Sequence, residues 1–249
     1  MSRRIVIRLT VVICIAVVLV VALGYAPVVF LWSSTQQLAS KDAPLRLSPV
    51  PLRTTATAPA NGKSVSAFGV EFCPPWPPSE TKLSRFVAIF VFGGDYGIAL
   101  FNPKGIDFVT SLRRGGPPYQ PFGPDALKSN YELAASVYRT TPAQMSIWGS
   151  RERLVGTCIR LRLKDVEKKL FQTGLFEFQF NRLKGFQLGD PEHTDRVMLR
   201  GFDPRDQEIR LIVSVQRGSS ARIRQEDLNL ILSSLHLVDN AKSLETVAK

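Results

Sequence analysis

The chain has 249 residues, 45% of them hydrophobic, and 32 Lys and Arg against 21 Asp and Glu give a formal net charge of +11. This composition excludes a wholly disordered, collagen-like or disulfide-dense chain, since only three cysteines occur. Two histidines in the whole sequence leave little of the commonest general base, which counts against hydrolytic chemistry.

In chain order, Arg3, Arg4 and Arg8 precede a stretch from Leu9 to Trp32 without a charged side chain. As a helix, such a stretch is about 36 Å long, enough for a hydrocarbon core of about 30 Å. The expectation is a transmembrane signal anchor over 9–32, with residues 1–8 cytoplasmic by the positive-inside rule and the lipid bilayer as partner. A cleaved signal peptide fits less well: a cut after Ala26 makes Pro27 the first residue and leaves an apolar remnant to Trp32. The implied location is the inner (plasma) membrane, single-pass, with the remainder extracytoplasmic.

Residues 33–64 are rich in Pro, Ser, Thr and Ala and read as a tether. Residues 65–240 read as one domain, followed by a polar tail over 241–249. Beyond residue 40, 29 basic side chains face 21 acidic ones. At the implied address this favours an envelope protein or an anionic polymer as partner, with no nucleic acid expected.

Within the domain, "AFGVEFC" alternates as a strand, with Phe68, Val70 and Phe72 on one face and Cys73 on the other. "RFVAIFVF" and "IALF", split by "GGDYG", predict a β-hairpin. "PDALKSNYELAASVYRT" switches to helical spacing at Leu127, Tyr131, Ala134 and Tyr138, with Asp125 or Ser129 as cap. A second short helix is expected after Thr141, and "DVEKKL" can add one more helical turn. "LVGTCIRLRL" sets Cys158, Arg160 and Arg162 opposite an apolar face. "GLFEFQF", "DRVMLRGF" and "EIRLIVSV" are three more strands, the last two joined through the turn "FDPRDQ". "RQEDLNLILSSLHL" closes the domain as an amphipathic helix. The expected class is α+β: an antiparallel sheet of about five to seven strands packed against two or three helices.

Motifs with chemical promise are few. "NGKS" at Asn61–Ser64 lacks the first glycine and the preceding strand of a P-loop. "SETK" at Ser79–Lys82 lacks the helix and the partner motifs that an S-x-x-K nucleophile needs. "GDPEHTD" gathers Asp190, Glu192, His193 and Asp195, side chains that ligate divalent cations, although the spacing is not that of an EF-hand and a solvated turn explains it. No cofactor motif occurs. Cys73 and Cys158 can form a disulfide in an oxidising compartment, or stay as two buried thiols.

For binding, "RRGGPPYQPFGP" offers Arg113, Arg114, Tyr119 and Phe122 on an irregular segment, and "CPPWPPS" offers Trp76. Arg160, Arg162 and Arg210 would form a cationic patch if their strands are neighbours. The expectation is a non-catalytic binding or assembly module. The alternatives are a metal-assisted envelope hydrolase at the Asp190–Asp195 turn and a structural subunit held through the membrane helix.

Overall fold

The computed structural model describes residues 50–52, 63–105, 129–139, 170, 173–180 and 182–238. Among them are eleven strands and two α-helices. A large sheet has eight strands: β1 (Val50–Pro51), β4 (Pro78–Leu83), β5 (Val87–Phe92), β6 (Tyr96–Phe101), β7 (Leu175–Phe180), β8 (Leu183–Leu188), β9 (Arg196–Phe202) and β10 (Glu208–Val215). Their spatial order is β1-β7-β8-β9-β10-β6-β5-β4. A small sheet orders β11 (His236–Leu237), β3 (Val70–Phe72) and β2 (Val65–Ala67). Helix α1 spans Asn130–Arg139 and α2 spans Gln225–Ser234.

The expected α+β class is therefore corrected: the described residues are mostly β, and the α-helices among them are two ten-residue elements rather than a layer. The physical reason is the persistence of period-two alternation. In β10, Ile209, Leu211, Val213 and Val215 are all buried on one face. Neighbouring strands align with this face through Val197 and Leu199 of β9 and Ile98 and Leu100 of β6. Val70 and Phe72 of the small sheet and Leu228, Ile231 and Leu232 of α2 complete the same core.

The expectation of a single-pass membrane protein is corrected as well. Among the described residues no helix is long and apolar enough to cross a membrane. At 1.5 Å per residue, each helix is about 15 Å long, half a hydrocarbon core. The stretch 9–32 on which that reading rested lies outside the described residues, as do 1–8 and 241–249.

Two further differences concern single elements. "AFGVEFC" is a hairpin and not one strand, because Phe68 and Gly69 adopt φ of 55° and 75° and pair Ala67 with Val70 across a two-residue turn. Glycine tolerates that backbone, and two positive φ values give the turn a twist that matches the strands. "LKGFQL", which lacks clean alternation, is β8, an interior strand of the sheet. Gly185 makes this possible: a Cβ there would collide with the Arg200 carbonyl oxygen on β9.

Candidate functional site

The turn between β8 and β9 carries the sequence-derived metal candidates. Gly189 enters it at φ 100°, where a side chain would collide with the Arg196 carbonyl. The Asp190 Oδ1 then accepts the Glu192 amide at 3.0 Å, and the Asp190 carbonyl accepts the His193 amide at 2.9 Å. His193 Nδ1 stands 3.1 Å from Asp190 Oδ2. Ligand atoms of Asp190, Glu192 and His193 thus lie within 4.8 Å of one another. Asp195 is exposed and stands apart from this group; its carbonyl accepts the Val215 amide at 2.9 Å. Glu192 and His193 are exposed, and Asp190 is occupied by the turn itself. This is the pattern of an Asx-stabilised turn, to which a cation could add.

The turn forms one wall of a groove of about 710 Å³. β1 forms a second wall, and the segment Arg222–Glu226 leading into α2 forms a third. The floor is apolar, from Leu52, Phe176 and Ile223, while Arg222, Arg224, Asp190, Glu192 and Glu226 line the rim. Arg224 is held against the buried Asp227 carboxylate at 3.0 Å, which raises its guanidinium further above its ordinary value. The Arg222 carbonyl accepts the Tyr96 hydroxyl at 3.0 Å, and Tyr96 stacks on Trp76 with centroids 4.0 Å apart. Trp76 therefore packs back onto the domain.

An amide pair fixes the groove's geometry. Gln187 on β8 is fully buried and donates to Gly189 O at 3.2 Å and to Gln225 Oε1 at 2.8 Å. Gln225 donates back to Gln187 Oε1 at 3.0 Å and to Asn229 Oδ1 at 3.1 Å. The turn and the start of α2 are thereby tied to one strand. Sequence reading missed both glutamines, and the one signal was a polar residue at an inward position of β8.

Two polar clusters lie on the opposite face of the large sheet. Arg200, 4% exposed, meets Glu208, 1% exposed, in a two-point pair at 2.8 and 2.9 Å and donates to the Tyr138 hydroxyl at 2.9 Å. Arg210 adds a 2.6 Å contact to the same carboxylate. Burial alone would oppose both charges. The two guanidiniums outweigh it and hold Glu208 below the usual carboxylate range, while Glu208 and Tyr138 hold Arg200 above its ordinary value. The second cluster joins Glu177 to Tyr131 and Arg139, each at 2.6 Å, with the Lys184 amine 3.8 Å above the Tyr131 ring. Burial and the bond to Glu177 push the Tyr131 phenol up. For Glu177, burial is outweighed by those two hydrogen bonds, so its carboxyl titrates low.

Arg210 is thus committed to a buried carboxylate instead of forming a cationic patch. Arg113, Arg114, Tyr119, Phe122, Arg160 and Arg162 lie outside the described residues. Cys73 is half-buried and, among the described residues, has no disulfide partner; its amide donates to Ser234 Oγ at 2.9 Å, and Cys158 lies outside the described residues. Ser79 of "SETK" lies on the edge strand β4, its hydroxyl donating to Val91 O at 2.9 Å. Among the described residues no buried side-chain nitrogen or oxygen lacks a partner.

Comparison with protein-family models, with curated proteins and with solved structures finds no match to any of them.

Proposed function

We propose that this protein is a non-catalytic binding module whose ligand surface is the groove between β1, the Gly189–Asp195 turn and the start of α2. The observation that carries this reading is the contrast between that groove and the rest of the polar structure. The buried ion pair of Arg200 and Glu208 sits in a closed, fully bonded cluster on the other face. The groove instead combines an apolar floor with charges of both signs on a fixed frame. Mixed charge around an apolar floor suits a polypeptide segment better than an anionic polymer, which would meet three carboxylates beside two guanidiniums.

The test is selection of peptides from a displayed library on the full chain, followed by affinity measurement against variants. Phe176→Asp and Arg222→Glu are expected to weaken the selected peptides at least tenfold, while Arg182→Ala at the far end of β7 leaves them unchanged. Peptides indifferent to both groove substitutions would overturn the reading.

A second reading is favoured by one observation, the approach of Asp190, Glu192 and His193 within 4.8 Å. A divalent cation held there would support a metal-assisted reaction in the same groove. Zinc titration by calorimetry decides it: one site per chain, lost in His193→Ala, supports a cation, and a flat titration removes it.

A further inference from the structure

We infer that the outer edge of β7 is a strand-addition site for an extended partner peptide of aliphatic–proline–aliphatic type, held in this structure by the chain's own Val50–Pro51–Leu52. The inference rests on the groove reading above and gives it a recognition mode.

The first observation is the pairing itself. Every strand pairing described in the two sheets is antiparallel except β1 on β7, which is parallel. Val50 lies opposite Phe176 and Pro51 opposite Glu177, and the Leu52 amide donates to the Glu177 carbonyl at 2.8 Å. A short extended segment laid along a sheet edge by main-chain bonds is the geometry of peptide recognition by β-strand addition.

The second is the side-chain pattern. Leu52 packs against the core cluster, whereas Val50 is 43% exposed and Pro51 is exposed. One aliphatic anchor and a short ladder hold the segment, so a peptide with the same features can replace it. Proline has no amide hydrogen and favours extended backbone, so at position 51, between the residues that face the edge, it stiffens the strand without removing the Leu52 bond. The occupant's flanking residues meet Asp190, Glu192, Arg222 and Arg224, because β1 forms a wall of the groove. Main-chain bonds thus give the docking, and the rim gives the preference among peptides.

The third is connectivity. Residues 53–64 link the segment to β2, so the chain's own copy competes at an effective concentration on the order of millimolar. Any partner must outcompete it, or bind once it has been removed.

The probe is a fluorescent peptide with the sequence of residues 47–55, LSPVPLRTT, titrated by anisotropy into the wild-type full chain and into Leu52→Asp. The variant is expected to bind it at least tenfold more tightly than wild type. Amide shifts should centre on Phe176–Phe178, and a probe N-methylated at the leucine that matches Leu52 should not bind. A double change, Val50→Gly with Leu52→Gly, repeats the experiment should Leu52→Asp disturb folding. Equal affinity for wild type and variant overturns the inference. So does absence of binding when hydrogen exchange shows the residue-52 amide released. A concentration-dependent wild-type dimer that Leu52→Asp dissolves would assign the edge to a second copy and overturn a separate partner. If library-selected peptides still depend on Phe176 and Arg222 while this probe fails, the groove reading stands and strand addition falls.

Discussion

Glu208 is shared by two guanidiniums at 1% exposure, so its charge is tolerable only while both partners remain. Arg200→Met alone leaves that carboxylate buried beside one partner and is expected to cost about 3–5 kcal/mol, read as a fall in the urea midpoint. Replacing the pair together, Arg200→Met with Glu208→Leu, should cost much less, because the desolvation penalty disappears with the charges. The same carboxylate sets an acid limit. Its pKa is lower folded than unfolded, so its contribution is complete above the ordinary carboxylate value of about 4.3 and is lost as pH falls through the folded value. Urea midpoints should therefore fall steeply below about pH 4 in wild type and less steeply in Glu208→Gln. At this scale the sequence was half legible. Alternation along "EIRLIVSV" puts Arg210 on the face away from the core, where it is found. Alternation does not say what covers that face, so neither the Glu208 bond nor the Tyr138 hydroxyl on Arg200 could be read from it.

Among the elements, those with uniform alternation were legible to within a residue or two. "EIRLIVSV" is β10 end to end, and "GLFEFQF" less its glycine is β7. Ser129 proves to be the cap of α1: its hydroxyl accepts the Glu132 amide at 3.0 Å. What the sequence did not show is the second cap, supplied from 75 residues away. The Asp206 carboxylate accepts the Asn130 amide and, at 3.0 Å, the Tyr131 amide. Asp206→Ala is expected to cost about 1–2 kcal/mol and to raise hydrogen exchange selectively at Asn130–Leu133. β8 was illegible because Lys184, Gly185 and Gln187 break its pattern, each answering to a neighbour outside the segment. Gly185→Ala should destabilise by about 1–3 kcal/mol or more, measured by thermal melting, since backbone rather than a yielding side chain stands in the way. β4 was missed for a different reason. "PSETKL" is an edge strand whose residues are nearly all exposed, so no apolar face marks it.

For the molecule as a whole, hydrophobic content was read as an anchor plus an α+β domain, whereas the described residues spend it on a β core shared by both sheets and α2. Such a shared core binds the two sheets into a single cooperative unit. Phe72 of the small sheet is fully buried and meets Phe90 of the large sheet edge-to-face, with centroids 5.7 Å apart. Phe72→Ala is expected to cost about 3–5 kcal/mol and still give a single unfolding transition by near- and far-ultraviolet circular dichroism. The groove was legible only in fragments, as "GDPEHTD" on one wall, because the rest of its lining comes from residues 50–52, 176 and 222–226. Distance along the chain hides such a site from any local pattern. The two ends of the large sheet also differ in how they are protected from self-association. β4 ends the sheet with Glu80 and Lys82 on its exposed face, a permanent electrostatic guard, while among the described residues β7 is covered by three residues from far upstream. An expressed fragment that starts at Val65 would therefore lose the segment that now pairs with this phenylalanine-rich margin, and a tendency to aggregate that the longer chain suppresses would follow from where the cut was made rather than from any fault in the fold.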